Sequence, residues 1–330
     1  MKKIESCPVC DGQTFDVRPY DPNPYAVETG WPEHHCFVDK NVAICKACGF
    51  GFTYEVMTDE DISAFYRAVY TAPEAKKTAP RPTDLYEFTP RFFTQVLYLK
   101  NFIQLYDGMR ILELGPNEVS TLPAYNLFCK PDYCYFDQLE WPIIKSYGGR
   151  SLGNYASGDN IRREFSAGSL DLIHSSHSLE HINPISLNNL FDGFSAAIAD
   201  GGHLFFEIPD DYAYEGLSPP HTLFFTEACI RTLLERHNFE IVSVGHRDGG
   251  GRLSDHSGER PKQHTAETTK KSMLGYVRSI IGRIILGNET LSRITKPWRL
   301  RRAFGQIVKQ IPTPYEASPY YRVLARRRER

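Results

Sequence analysis

Hydrophobic and polar positions follow two different periods along this chain. Between residues 109 and 246, short apolar runs alternate with longer stretches in which apolar residues recur every three or four positions. The short runs predict buried strands, and the longer stretches predict helices. The expected strands are 109–114, 132–137, 169–176, 203–209 and 239–246, and the expected helices are 185–199, ended by Asp200-Gly-Gly202, and 226–238. Strands that alternate with helices predict an α/β fold, a parallel sheet covered on both faces.

Two further helices are predicted ahead of this alternating region. Thr58 to Asp61 has the spacing of a helix capping box, and apolar residues follow it at helical intervals. An apolar-rich helix is expected over 92–106, after a proline-containing linker over 71–90. We therefore divide the chain into a small module (1–57), a helical linker or lid (58–106), a main domain (107–248 with 319–330) and an insertion (249–318).

Four of the eight cysteines form two pairs near the start of the chain, Cys7 with Cys10 and Cys45 with Cys48. A two-residue gap lets one tight turn present two thiolates to one ion, and two such turns supply a tetrahedral zinc site. Four thiolates leave no position for water, so this Zn²⁺ is expected to be structural. Iron, free dithiols and disulfides are alternatives, although a reducing cytosol disfavours disulfides.

Three other possible ligands, His34, His35 and Cys36, lie in the loop between the two cysteine pairs. Because four cysteines already complete a zinc coordination shell, we expect these three residues to serve the loop or its packing.

The first strand of the alternating region runs directly into a turn with a single glycine, Gly115. Ligands of open parallel sheets bind beyond the carboxyl ends of the strands. Asp137 ends the next strand, roughly 20 positions further on, where a carboxylate can bind the hydroxyls of a ribose. A dinucleotide site needs glycines where Asn117 and Ser120 stand, so the turn disfavours NAD and suits a nucleoside without phosphates.

The order and spacing of these motifs resemble those of class I S-adenosylmethionine-dependent methyltransferases with an N-terminal zinc ribbon, of the methyltransferase type 11, 12 or 23 kind. The matching segments are ILELGPNEVS, CYFDQ, SGDNIRREFSAGSLDLIHSSHSLEHI, ADGGHLFFEIPD, HTLFFTEACIRTLLERHNFEIVSV and the ribbon cysteines with Tyr66 and Tyr70. The resemblance implies a Rossmann-like, mostly parallel methyltransferase sheet. It also implies a last, antiparallel strand near 320–326, with the helical insertion placed before that strand.

The resemblance further implies which residues bind S-adenosylmethionine. The expected cofactor-binding set is Glu113, Gly115, Asn117, Asp137, Asp159 and Asn160. Within it, Gly115 approaches the cofactor, Asp137 holds the ribose, and Asp159 or Asn160 lies beside the adenine. Glu113 is expected to orient the turn and to meet the methionine end.

The glycine turn also departs from the family pattern, because family members more often have glycines where Asn117 and Val119 stand. This departure motivates an alternative function, a degenerate methyltransferase fold that acts as a non-catalytic binding or scaffold protein.

Histidines near the carboxyl ends of strands are candidates for proton transfer, because the pKa of imidazole is near neutral. His221 is the first candidate, as a general base or substrate ligand, since related enzymes that methylate sugars and metabolites present a histidine there. His177 is the second, whereas His181 is expected to cap or pack the following helix. Tyr212 and Tyr214 are expected to line the pocket or to pack beside it.

The expected function is methyl transfer to a small-molecule acceptor, such as a sugar, a saccharide precursor or a secondary metabolite. Oxygen is favoured as the methylated atom. The sugar C-methyltransferases with similar ribbons usually have a larger C-terminal domain than this chain has.

Composition and charge indicate the class of protein and its cellular location. A net charge of −2, with 41% hydrophobic and 24% charged residues, is typical of a globular protein. The start lacks the pattern of a secretory signal and no apolar run approaches the roughly 20 residues of a membrane span, which predicts a cytoplasmic protein.

One region, 268–312, is strongly basic, with ten lysines and arginines and one acid. Apolar residues recur in it at helical spacing. It is expected to pack on its own domain or on the partner of a homodimer, or to make peripheral contact with an anionic membrane. Nucleic acid is not an expected partner, because stacking aromatic residues are not interleaved with the basic ones.

Overall fold

The computed structural model describes residues 2–22, 35–71, 90–116, 120–137, 140–153, 155–245 and 320–329. The predicted site residue Asn117, the loop residue His34, most of the predicted linker and the whole basic region 268–312 lie outside the described residues.

The described strands and helices alternate through the second half of the chain. The strands are β1 (Phe15–Pro19), β2 (Asn41–Cys45), β3 (Gly51–Thr53), β4 (Arg110–Leu114), β5 (Asp132–Phe136), β6 (Arg150–Ser151), β7 (Leu170–Ser176), β8 (Ile198–Pro209), β9 (Leu223–Phe224), β10 (Phe239–Gly245) and β11 (Tyr320–Arg327). The α-helices are α1 (Asp59–Thr71), α2 (Pro90–Lys100), α3 (Leu122–Tyr125), α4 (Pro142–Ser146), α5 (Gly158–Glu164), α6 (Leu187–Ala197) and α7 (Glu227–Arg236). None of these helices is long and apolar enough to cross a membrane.

Seven strands form the central sheet, in the order β10-β11-β8-β7-β4-β5-β6. Strand β4 pairs in parallel with β5 and with β7, and its residues 111–114 are buried, as expected of a strand covered on both faces. Strand β11 lies between β8 and β10 and is antiparallel to both. The predicted Rossmann-like sheet, mostly parallel with an antiparallel last strand, is therefore confirmed.

Three local predictions differ from the structure. The helix expected over 92–106 ends at Lys100. The two-residue strand β6 is too short to produce a recognisable pattern. The turn expected at Asp200-Gly-Gly202 lies within strand β8, where Gly201 has a φ of 74° and the pairing with β7 shifts register. A glycine that relieves a bulge gives the same sequence signal as a glycine that ends a helix.

The N-terminal module packs tightly against the main domain. Strands β1, β2 and β3 of this module form a sheet with β9, a strand that belongs to the main domain and follows β8 in the sequence. Phe50 and Phe225 contact one another with ring centroids 5.3 Å apart, and both belong to one hydrophobic core with Leu112 of β4. The division at residue 57 stays a prediction, but this core and this sheet continue across it.

Helix α1 begins at the predicted capping box, which is confirmed. The Thr58 backbone N–H donates to Asp61 Oδ2 over 2.9 Å, and the Asp61 N–H donates to Thr58 Oγ1 over 3.1 Å. Asp59 in its first turn accepts a hydrogen bond from Asn183 Nδ2 over 2.8 Å. This contact fixes α1 beside the segment that follows β7, so that its residue Tyr66 lies over the carboxyl edge of the sheet.

Candidate active site

The order of the central sheet places a crevice next to β4. The chain proceeds from β4 to β5 and β6 on one side, and β7 returns to pair on the other side. Such a reversal of strand order is where ligands bind in open α/β sheets. A cavity of about 510 Å³ lies there, a volume typical of small-molecule sites. We name its two ends after the ligands that the sequence leads us to expect there: the cofactor end, near Gly115, and the acceptor end, near His221.

Gly115 forms the cofactor end directly after β4. Its φ of 57° is a left-handed conformation, and a Cβ placed on it would lie 2.4 Å from Ser178 Oγ. The Ser178 hydroxyl in turn donates to the Leu114 carbonyl over 3.0 Å. Only glycine fits this turn, which lets the backbone line the cavity.

Asp137 lies at the carboxyl end of β5 and also lines the cavity. One oxygen, Oδ2, accepts a hydrogen bond from Trp141 Nε1 over 3.0 Å. The indole thereby orients the carboxylate at the edge of the pocket.

The segment before helix α5 closes the cofactor end. Tyr155 and Ser157 line the cavity, and the Ser157 hydroxyl caps the helix by accepting from the Asn160 N–H over 3.2 Å. Asp159 is exposed and pairs with Arg162 over 2.6 Å, while Asn160 Nδ2 donates to the Tyr155 carbonyl over 3.1 Å. Neither of the two predicted adenine neighbours therefore lines the cavity, although both follow its lining residues closely in the sequence.

Glu113 of β4 is buried beneath the turn that contains Gly115. Its carboxylate accepts hydrogen bonds from Ser120 Oγ and Thr121 Oγ1, each over 2.9 Å. Burial raises the pKa of this carboxyl to about 7, although the two hydroxyls act in the opposite direction. Its contacts fit the predicted role of orienting the turn, whereas the cavity lining does not include it.

His177 begins the acceptor end, directly after β7, with a φ of 51°. Its backbone N–H donates to the Glu207 carbonyl over 2.8 Å. The imidazole lies between two buried carboxylates: Nδ1 is 3.5 Å from Glu180 Oε1, and Nε2 is 3.5 Å from Glu207 Oε1.

Two more imidazoles complete this end. His221 Nδ1 lies 2.8 Å from Asp211 Oδ1, and His181 Nδ1 lies 2.5 Å from the Tyr66 hydroxyl. The ring centroids of His181 and His221 are 5.0 Å apart. Burial, and then the neighbouring His221, hold the pKa of His181 well below its usual range, so its imidazole is neutral at physiological pH.

Sequence reasoning missed several of these groups. His181 was expected only to cap or pack a helix, but it lines the cavity. Glu180 also lines the cavity; it lies in a segment that resembles the family, but no role was predicted for it. Tyr66 was part of the resemblance without a role, and because it lies on a helix far from His181 in sequence, no local pattern points to their contact. The Tyr212 hydroxyl, expected near the pocket, instead donates to the Gly49 carbonyl over 2.8 Å, and nothing is described of the Tyr214 side chain.

The four ribbon cysteines converge on one point. Their sulfur atoms all lie within 4.8 Å of one another, with Cys7 and Cys48 3.7 Å apart and Cys10 and Cys45 3.5 Å apart. His35 packs against Phe37 and Phe65 and is not part of this group, nor is Cys36.

Comparison with known proteins supports an activity for this architecture. Residues 87–244 match a family model described as a methyltransferase domain. No curated protein matches the chain significantly.

Solved structures with a similar arrangement include three methyltransferases. An S-adenosylmethionine-dependent methyltransferase from Archaeoglobus fulgidus has 15% identity and a TM-score of 0.44, over 72% of this chain and 95% of that one. The N1-methyltransferase of 1,6-didemethyltoxoflavin from Burkholderia thailandensis has 11% identity and a TM-score of 0.45, over 90% and 99%. Phosphoethanolamine N-methyltransferase 2 from Haemonchus contortus has 11% identity and a TM-score of 0.44, over 88% and 70%. TM-scores below 0.5 make these likenesses too loose to identify an acceptor.

The family match spans helix α2 and the strands from β4 to β10, except for Gly245 at the end of β10. It therefore covers the strands that carry Gly115, Asp137 and His177 and the loop that carries His221. Residues 87–244, just under half of the chain, therefore match a methyltransferase domain.

Proposed function

We propose that the chain is a class I S-adenosylmethionine-dependent methyltransferase that acts on the oxygen of a small-molecule acceptor, such as a sugar, a saccharide precursor or a secondary metabolite. The observation that carries the proposal is the make-up of the cavity. One end offers a glycine turn and a strand-end carboxylate, which suit a nucleoside, and the other end offers imidazoles, which suit an acceptor that must lose a proton.

The cofactor end fits S-adenosylmethionine, which supplies a methyl group on an electrophilic sulfonium. Gly115 would let the cofactor approach the backbone, and Asp137 would accept hydrogen bonds from the ribose hydroxyls. Tyr155 and Ser157 line the cavity close in sequence to Asp159 and Asn160, the residues that the resemblance places beside the adenine. Glu113 would act indirectly, by holding Ser120 and Thr121, which follow the predicted site residue Asn117 in the sequence.

The acceptor end offers two histidines for proton transfer. The Nδ1 atom of His221 lies against Asp211, so its Nε2 atom is held in a fixed direction as a base or as an acceptor ligand. His177 is placed on the other side, between Glu180 and Glu207. An oxygen acceptor needs such a group, because a hydroxyl must lose its proton as it is methylated.

Calorimetry with S-adenosylhomocysteine tests the assignment of the cofactor end. We expect Asp137→Ala to weaken binding about 10- to 100-fold, because a hydrogen bond to a charged group contributes about 1.5–3 kcal/mol. Asp132→Ala is the matched control, since Asp132 is exposed at the opposite end of the same strand. Equal affinity of the wild type and Asp137→Ala would remove the ribose assignment, and no binding by the wild type would favour the scaffold alternative.

Asp159→Ala tests the adenine assignment in the same experiment. A loss of affinity as large as that of Asp137→Ala would support the role that the resemblance gives to Asp159. Unchanged affinity would restrict its role to the exposed ion pair with Arg162.

We also propose that the ribbon cysteines hold a structural zinc ion. Zinc–sulfur bonds of about 2.3 Å in a tetrahedron place the sulfurs about 3.8 Å apart. The sulfurs of Cys7 and Cys48 are 3.7 Å apart and those of Cys10 and Cys45 are 3.5 Å apart, close to this value. A Cβ placed on Gly12 would lie 3.1 Å from Cys45 Sγ, so the turn closes tightly on the cluster.

Cobalt substitution tests this zinc site. Co²⁺ bound to thiolates gives strong near-ultraviolet charge-transfer absorption, which we expect in the wild type and in Cys36→Ser but much reduced in Cys10→Ser. Absence of this absorption in the wild type would contradict a four-thiolate site.

A further inference from the structure

We propose that the acceptor end of the cavity contains a second metal site, in which Glu180, His181 and His221 bind a divalent transition-metal ion. The inference rests on the proposed function, because the ion would bind the acceptor oxygen. It concerns side chains that are separate from the ribbon cysteines.

The three side chains already converge. Each contributes one ligand atom to a group in which all atoms lie within 4.8 Å of one another, and His181 Nε2 is 3.8 Å from Glu180 Oε1. Ligands bound at about 2.0–2.2 Å in a tetrahedron lie about 3.3 Å apart. The ligand atoms would therefore have to approach one another by at most about 1.5 Å, which side-chain rotations can supply.

The two imidazoles are oriented as metal ligands usually are. A metal-bound imidazole typically directs its second nitrogen to a carboxylate, a carbonyl or another polar group behind it. Here Nδ1 of His221 is held by Asp211, and Nδ1 of His181 is held by the Tyr66 hydroxyl. With Nδ1 so oriented, Nε2 of each imidazole is the nitrogen that would bind the ion, and Nε2 of His181 already lies 3.8 Å from Glu180 Oε1.

A general base by itself does not account for this arrangement. One oriented imidazole is enough to remove a proton. The structure adds a second imidazole, with its ring 5.0 Å from the first, and the carboxylate of Glu180, which is fully buried. Burying a carboxylate is costly unless a positive charge or strong donors compensate for it. A divalent cation would supply positive charge here, in addition to the imidazole of His177, whose Nδ1 lies 3.5 Å from Glu180 Oε1.

The donor set indicates the class of ion and of ligand. Two imidazoles and one carboxylate suit zinc, iron, cobalt or manganese, and three protein ligands leave at least one position open for an exogenous oxygen. The site would accordingly take an acceptor with an ionisable hydroxyl. A cation bound to that oxygen lowers its pKa, and the proton passes to water in the open cavity. Nε2 of His221 would then bind the ion, which takes over the role of the base.

Metal analysis of the intact chain tests this proposal. After incubation with Zn²⁺ and gel filtration, we expect two zinc ions per wild-type chain, one in the ribbon and one at the acceptor end. His221→Asn and Glu180→Gln should each retain one. His203→Asn is the matched control, because His203 is a partly buried histidine of β8 outside the cavity, and it should retain two.

Two results would overturn the proposal. One is a single zinc ion in the wild type whose loss follows the ribbon cysteines. The other is two zinc ions in the double variant His221→Asn/Glu180→Gln. Circular dichroism of each variant identifies those that fail to fold, and the wild-type count stands without them.

Calorimetry with S-adenosylhomocysteine on the same samples separates this proposal from the proposed function. Binding of the nucleoside with only one metal per chain would reject the second site and retain the methyltransferase assignment. Two metals per chain without nucleoside binding would support the second site and reject the methyltransferase assignment.

Discussion

A buried carboxylate lies beneath each end of the cavity, and the two are held in different ways. Glu113 of β4, under the cofactor end, is surrounded by hydroxyls, with Ser120 and Thr121 as its donors. Glu207 of β8, next to His177, is paired with the guanidinium of Arg322 and also accepts from Gln95 Nε2 over 2.8 Å.

This difference separates two ways of tolerating a buried acid. A carboxylate beside hydroxyls can become neutral by binding a proton, so its pKa rises towards physiological pH. A carboxylate paired with arginine has its charge compensated, and it depends on that partner being present. The cofactor end should therefore respond to pH, and the acceptor end should respond to loss of the last strand, which carries Arg322.

Replacement of Arg322 should produce the largest loss of stability. Arg322→Met leaves the Glu207 carboxylate buried without its guanidinium, which typically costs about 3–5 kcal/mol of the free energy of unfolding. Chemical denaturation at pH 7 measures this change. The double variant Glu207→Gln/Arg322→Met should recover part of it, because the uncompensated charge is then gone.

Arg326 supplies the control on the same strand. It pairs with Glu240 on the surface, and more than half of its side chain is exposed. Arg326→Met should change stability by no more than about 1 kcal/mol. Equal losses in Arg326→Met and Arg322→Met would show that strand β11 matters through packing, and the comparison with Glu113 would fail.

Glu113 should make stability depend on pH. Its pKa is raised from 4.5 in the unfolded chain to about 7 in the folded protein, so the folded state retains a proton that the unfolded state has lost between these values. The resulting stabilisation is fully present below pH 4.5 and is lost as the pH rises through 7, by about 3 kcal/mol in total.

The variant Glu113→Gln isolates this dependence. Denaturation at pH 5 and pH 8 should show a decline in the wild type that is about 2.5 kcal/mol larger than in the variant, since all other groups titrate alike in both. A wild type and variant with parallel pH profiles would mean that Glu113 is ionised in the folded protein at pH 5.

The cofactor end was largely accessible to sequence reasoning, because it is built from consecutive strand ends. An apolar run followed by a glycine predicts both the strand β4 and the position of Gly115, and Asp137 follows from the next run. The same logic failed at the bulge around Gly201, because glycine has the same conformational freedom in a strand as after a helix.

The acceptor end was only partly accessible, because tertiary structure assembles it. His177 and His221 could be named from their positions near strand ends. Tyr66 reaches the site because tertiary contacts, among them the Asp59–Asn183 hydrogen bond, fix helix α1 beside the segment that carries His181. No periodicity encodes such a contact between distant segments.

Replacement of Gly115 should have an intermediate effect, confined to the cofactor end. Gly115→Ala forces an alanine into a left-handed conformation, at about 1–3 kcal/mol, and places its Cβ 2.4 Å from Ser178 Oγ. Both stability and the affinity for S-adenosylhomocysteine should fall. In Gly115→Ala/Ser178→Gly the steric conflict is gone while the backbone strain stays, so affinity should recover more than stability. Recovery of neither would mean that the backbone conformation alone determines binding.

Tyr66→Phe should have the smallest effect on stability and should act on the acceptor end alone. The change removes one hydrogen bond to His181 and keeps the ring packing, so the loss of stability should be about 0.5–1.5 kcal/mol. Mutation of a group that orients a metal ligand typically lowers the metal affinity about 10- to 100-fold, so the second site should bind Zn²⁺ more weakly. S-adenosylhomocysteine should bind as it does to the wild type, because Gly115 and Asp137 are unaffected. If Tyr66→Phe weakened nucleoside binding and left zinc affinity unchanged, Tyr66 would belong functionally to the cofactor end, and the division of the cavity into two separately held ends would be wrong.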